Sequence, residues 1–193
     1  MSPFRLLLIT DWSLPDCVER VRDALTAGPG IAVQHRHPGA SDRAFYAEGL
    51  ALRAVLGDAP LFVNGRLDVA LALDAHLHLT EGSLSPADVR PWLPKGRLLS
   101  ASWHPPGAPR PGVDLLLLSP VFAPSSKPVD RPPLGAAAFQ AFAATAPVPV
   151  FALGGLTAAR VPLLKPLAGV AVVGEVLHAA SPARAAAALL DSL

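Results

Sequence analysis

Eight short apolar runs, each bounded by Pro, Gly or Asp, limit what this chain can fold into. They are Arg5 to Thr10, Ile31 to His35, Leu61 to Val63, His76 to Leu79, Arg97 to Ala101, Val113 to Leu118, Val148 to Leu153 and Val170 to Val173. Runs so short and so continuously apolar predict strands buried on both faces, the signature of a parallel sheet. Between them lie hydroxyl residues suited to start helices: Ser13 ahead of Pro15, Ser41 before Asp42, Ser85 before Pro86, Thr157, and Ser181 before Pro182. Such side chains accept from the orphan N–H groups of a first helical turn, and Pro fits the first helical position. Strand and helix alternate with no intervening linker, which predicts an α/β fold: one domain over residues 1–193, a compact (β/α)8 TIM barrel. One link departs from the pattern. The stretch Pro105-Pro106-Gly107-Ala108-Pro109-Arg110-Pro111-Gly112 cannot sustain a helix, so a loop is expected where a regular barrel carries its fifth helix.

Composition removes several function classes. The 193 residues carry a formal net charge of +1 and no Lys/Arg cluster, which argues against nucleic acid as a partner. The Leu6-Leu7-Leu8-Ile9 run is too short for a signal segment and no stretch reaches membrane-spanning length, so a cytoplasmic protein with no membrane partner is expected. Cys17 is the only cysteine; it can form no internal disulfide and reads as a buried thiol of the first helix. No Cys/His spacing suits zinc, no G-x-S-x-G elbow appears, and the glycine pattern is not a dinucleotide fingerprint.

The stretch Pro149-Val150-Phe151-Ala152-Leu153-Gly154-Gly155-Leu156-Thr157 is a strand running into a glycine pair. Glycines leave N–H groups unscreened, and a helix beginning near Thr157 would add its positive end, so the corner reads as a phosphate cradle. A plain strand-to-helix turn is the alternative. A second glycine-bearing strand end, Gly169 to Glu175 with Gly174, favours the cradle, because paired loops after the last two barrel strands commonly hold phosphate.

With this layout the chain resembles the thiamine phosphate synthase and TenI (thiazole tautomerase) family over nearly its whole length. The matching stretches are Leu7 to Asp11, Val33-Gln34-His35-Arg36, Asn64 to Leu73, Leu77-His78-Leu79, Ser102-Trp103-His104, Ser119-Pro120-Val121-Phe122, Ser125-Ser126-Lys127-Pro128, Pro133-Leu134-Gly135 and the glycine pair. The resemblance implies a thiamine biosynthesis or salvage protein that binds a thiazole phosphate or similar small phosphorylated heterocycle. It assigns Gly154, Gly155 and Gly174 to the phosphate, and Gln34, Arg36, Asn64, Ser102, Ser126 and Lys127 to the substrate. Lys127 also admits the reading of a solvated surface lysine, and Arg36 that of a structural partner of Asp11 or Asp68. Trp103 either stacks on a ring or packs. His76, where the family usually has Gly, brings bulk that would reshape the pocket.

The departures bear on the reaction. Family synthases hold magnesium with an Asp after the third strand and another after the fourth-strand histidine; here those positions are Gly65 and Ser83, and a lysine following the Gln-x-Arg is Pro38. Neutral groups suit magnesium poorly, and an unassisted pyrophosphate leaving group is poorly stabilised. The expectation is therefore a TenI-like isomerase, with no metal or other cofactor. TenI proteins move one proton on a thiazole carboxylate phosphate, but their histidine before the sixth-strand end is replaced by Pro120. His104 and His78 are the candidate bases, a packing role being open for either. Two alternatives stand beside this reading: a divergent thiamine phosphate synthase, for which magnesium would be required, and a non-catalytic phosphate-ligand binding or regulatory protein. Sequence leaves the oligomeric state open, a homo-oligomer included.

Overall fold

A computed structural model describes residues 4–123 and 131–193. Strands β1 (Leu6–Ile9), β2 (Ile31–His35), β3 (Leu61–Asn64), β4 (His76–Leu79), β5 (Leu99–Trp103), β6 (Leu115–Leu118), β7 (Val150–Leu153) and β8 (Gly169–Val172) pair in parallel in chain order and close into a barrel. Outside run α1 (Cys17–Leu25), α2 (Asp42–Leu56), α3 (Leu67–Ala72), α4 (Pro86–Val89), α5 (Gly135–Thr145), α6 (Gly174–Leu177) and α7 (Pro182–Ser192). All eight expected strands form: β2 and β4 keep their bounds, β1, β6 and β7 are trimmed at their ends, β3 gains Asn64 and β8 shifts by one residue. The fifth is displaced, because the Arg97 N–H closes a turn on the Pro94 carbonyl and the Leu98 N–H goes to His76 Nδ1, leaving both outside the ladder.

Alternation along each strand splits the core in two. Leu6, Leu8, Val33, Val63, Leu77, Leu99, Leu116 and Leu118 pack outward against the helices. Phe4, Leu7, Ile9, Ala32, Phe62, Leu115, Leu117, Phe151 and Ala171 fill the barrel. At its floor, Phe4 makes edge contacts with Phe62 and Phe151 at 5.5 and 5.4 Å. Each such ring contributes about 1.5–3 kcal/mol by burial.

Three helix starts follow the sequence. Ser41, Ser85 and Ser181 accept from the N–H groups of Ala44, Asp88 and Arg184. Two do not. Ser13 directs its N–H and its hydroxyl at Asp11 Oδ1, 3.1 and 2.7 Å away, and α1 begins four residues later at Cys17 with Asp16 at its N-cap. After Thr157 there is only a turn and a 3-10 helix, Val161–Leu164, in which Pro162 lacks the donor that an α-helical ladder would need. Cys17 is buried as expected, and burial pushes its thiol up to about 11.

Between β5 and β6 the Pro-rich stretch forms no helix. It is held instead by point contacts. Trp103 Nε1 donates to the Gly107 carbonyl at 2.7 Å, and Arg110 donates to the carbonyls of Glu81 and Ser83 at 3.0 and 3.2 Å. Among the described residues no helix is long and apolar enough to cross a membrane.

Candidate active site

The barrel interior changes from apolar at the floor to polar toward the C-terminal ends of the strands, and period-two alternation sets which residues meet there. Gln34 lies two residues beyond Ala32, Asn64 two beyond Phe62, and Ser100 and Ser102 stand on the face of β5 that meets His78. Gln34 is 1% exposed, and among the described residues its Nε2 has no hydrogen-bond partner. Leaving such a donor unsatisfied costs about 1–3 kcal/mol, a cost that a ligand acceptor would remove.

His78 is buried within β4, one layer below the rim where sequence placed it. Its Nδ1 lies 2.9 Å from Ser100 Oγ and its Nε2 3.0 Å from Ser102 Oγ. Burial pushes the imidazole down to about 3, helped by the charges of Arg36 and His104. Both ring nitrogens are engaged by hydroxyls and burial disfavours the imidazolium, an arrangement suited to orienting Ser100 and Ser102.

His104 stands at the mouth, just past the end of β5. Its Nδ1 is 2.7 Å from the Ser119 carbonyl oxygen and 3.3 Å from Ser119 Oγ. A carbonyl can only accept, so Nδ1 carries the proton and Nε2 presents a lone pair. The ring lines a cleft of about 460 Å³ together with Glu81, Pro105, Pro106, Ser119, Pro120, Arg131, Pro132 and Leu134. Pro105 and Pro106 restrict the backbone that follows the imidazole.

The glycine corner forms where β7 and β8 end side by side. Among the described residues the N–H groups of Gly154, Gly155 and Gly174 make no hydrogen bond to the protein. Gly155 has φ +59°, and a Cβ there would come within 2.7 Å of the Phe122 carbonyl oxygen. That glycine is required by the loop beneath it as well as by any anion above it. No helix starts at Thr157, and α6 has only four residues, so the helix-dipole part of the expected cradle is corrected: no long helix backs the N–H groups.

Other expected residues fall as follows. Arg36 is exposed at the rim and near enough to His78 to depress its proton affinity. Asp11 and Asp68 are taken by His178 and Arg66 rather than by Arg36. Ser126 and Lys127 lie outside the described residues. Trp103 points outward and packs on Phe142 at 5.4 Å, so it does not stack on a ring. His76 is at the floor, 4.8 Å from Phe62, and cannot reshape a pocket at the mouth.

Two features escaped the sequence reading. Arg160 Nη1 donates to the Gly155 carbonyl at 2.5 Å. Its place five residues after the glycine pair was the available signal. Glu81 and Arg131 form a two-pronged ion pair at 2.9 Å across 50 residues, a pairing that no local pattern carries.

The magnesium implied by the synthase resemblance does not fit the residues present. Gly65 and Ser83 supply no carboxylate, and a Cβ on Gly65 would face Thr80 rather than an open cage. Ser83 Oγ accepts from the Thr80 N–H at 2.9 Å, which closes the turn. Glu81, the nearest carboxylate in sequence, is bound by Arg131, which holds it below its ordinary proton affinity. Among the described residues no three His, Cys, Asp or Glu side chains converge.

Comparison with known proteins places this geometry in a family. A thiamine-phosphate synthase from Parasynechococcus marenigrum is 40% identical over 199 aligned positions, covering 98% of this chain and 56% of that protein. Another, from Chlorobium limicola, is 33% identical and covers 100% of this chain and 94% of that protein. The chain spans about half the length of the cyanobacterial relatives, 53–57% of each. Among solved structures, a thiamine phosphate pyrophosphorylase from Pyrococcus furiosus superposes with a TM-score of 0.83 at 26% identity, covering 98% of this chain and 95% of that one. The family profile described as thiamine monophosphate synthase matches residues 6–176, and the chain belongs to that thiamine biosynthesis family.

Proposed function

We propose that this protein binds a thiazole phosphate at the C-terminal mouth of the barrel and catalyses a TenI-like proton shift on its carboxylated form. The observation that carries the reading is the Nδ1–H of His104 anchored on the Ser119 carbonyl, which leaves Nε2 as a base lining the cleft. Nε2 would take a proton from the ring and return the same proton at a second position, making the ring aromatic with no net change in atoms. The Ser119 carbonyl would stabilise the transient imidazolium through its bond to Nδ1–H, and Nε2 stays directed at the substrate. Gly154, Gly155 and Gly174 would hold the phosphate, with Gln34, Asn64 and Ser102 around the ring.

Joining of aminopyrimidine pyrophosphate to thiazole phosphate is the second reading, favoured by the names of the relatives. The missing carboxylates at Gly65 and Ser83 weigh against it. Incubating the protein with thiazole carboxylate phosphate and following aromatisation by NMR separates the readings. Conversion without added metal is expected. Absence of conversion together with magnesium-dependent joining would replace the first reading by the second, and tight binding with neither reaction would leave a binding protein.

A further inference from the structure

The glycine corner has a charge as well as N–H groups. Arg160 reaches back from the turn after β7 so that Nη1 bonds to the Gly155 carbonyl at 2.5 Å, and its guanidinium lies 5.2 Å from the centroid of the Phe122 ring. These two contacts anchor the side chain from opposite sides, through the loop after β7 and the loop after β6. Its remaining donors lie at the exposed rim. A guanidinium presents five donors in a fixed fork, of which one is used here, and its planarity matches two oxygens of a phosphate. The neighbouring carboxylate at this end is Glu175, whose proton affinity is raised by burial and countered by the charge of Arg160. Arg160 sets a positive charge beside Glu175 and the neutral N–H groups that an incoming dianion would meet.

We propose that Arg160 is a phosphate-binding and specificity-determining residue of this corner, selecting phosphate monoesters over the corresponding alcohols. This rests on the reading of the corner as a phosphate site given above. The contacts with Gly155 and Phe122 hold the side chain before the ligand arrives, so little rotamer entropy is lost on binding. The charge also makes affinity sensitive to salt, which N–H groups alone would do less.

The test is calorimetry of wild type, Arg160→Gln and Arg160→Lys with thiazole phosphate, its unphosphorylated alcohol and inorganic phosphate, at low and high salt, with thermal unfolding as a check on folding. Arg160→Gln is expected to lose about tenfold in affinity for thiazole phosphate, to flatten the salt dependence and to leave the alcohol unaffected; Arg160→Lys should recover part of the loss. Equal affinity of Arg160→Gln and wild type for thiazole phosphate overturns the role of Arg160 and leaves the proposed function standing. Equal losses for the phosphate and the alcohol also overturn it, since the residue would then be structural. If wild type binds inorganic phosphate as tightly as thiazole phosphate, the thiazole reading fails while Arg160 retains its role. Binding of neither by wild type rejects both.

Discussion

His78 Nε2 lies 3.0 Å from Ser102 Oγ, joining the interior of β4 to the last inward-facing position of β5. The opposite ring nitrogen meets Ser100 at 2.9 Å, so the imidazole is fixed at both ends and kept neutral by burial. A histidine at a strand end invites a catalytic reading. This one has both nitrogens engaged by serine hydroxyls, whereas His104, one layer higher, lines the cleft.

His104→Asn is expected to lower any tautomerisation rate by about 10²-fold or more, the scale of losing a general base, with thiazole phosphate affinity nearly unchanged. Steady-state rates alongside calorimetric affinity check this. A wild-type rate would remove His104 as the base.

The two glycine loops should respond differently to a single methyl group. Gly155→Ala places a Cβ against the Phe122 and Ala123 carbonyls at φ +59°, so a loss of about 1–3 kcal/mol in unfolding free energy is expected, and Gly155→Asp should unfold this corner as well as repel an anion. At Gly174 the nearest atom to an added Cβ is His178 Cδ2 at 3.8 Å, so Gly174→Ala should stay within about 0.5 kcal/mol of wild type while weakening phosphate binding. Urea unfolding of the two variants distinguishes them.

Metal removal should change little. With Gly65 and Ser83 lacking carboxylates and Glu81 held by Arg131, a chelator is expected to leave thiazole phosphate affinity intact, and magnesium is expected to promote little or no joining reaction. Robust joining that a chelator abolishes would reverse the assignment of function.

Acid should destabilise the fold from about pH 6.5 downward. Burial holds His76 down at about 4 and His78 at about 3, against an ordinary value of 6.5. Between those limits the unfolded chain binds protons that the native barrel refuses, so stability rises with pH in this window and is lost as pH falls through it. The slope is up to about 1.4 kcal/mol per pH unit for each histidine. His76 Nδ1 accepts from the Leu98 N–H at 2.9 Å, which protonation would break. Urea titrations at pH 7.5, 6 and 5 should show a shallower slope for His76→Gln; an unchanged slope would mean that His76 titrates alike in both states.

Sequence alone determined the eight strands, their parallel order and the Pro-rich link without a helix. These follow from local causes: apolar runs with few donors left over, hydroxyl caps at Ser41, Ser85 and Ser181, and prolines that cannot continue a helical ladder. Period-two alternation along β2 turns His35 outward, where it stacks 3.9 Å from Phe45. Closure of the barrel decided the rest. It set His78 below the rim and His104 at it, sent Trp103 outward and His76 to the floor, brought Arg131 to Glu81, and tied Arg160 to Gly155. The depth of a side chain in a barrel depends on the register of its neighbours, and an ion pair across 50 residues depends on which loops share the rim. Neither is a property of the local sequence, because both arise only when all eight strands are paired.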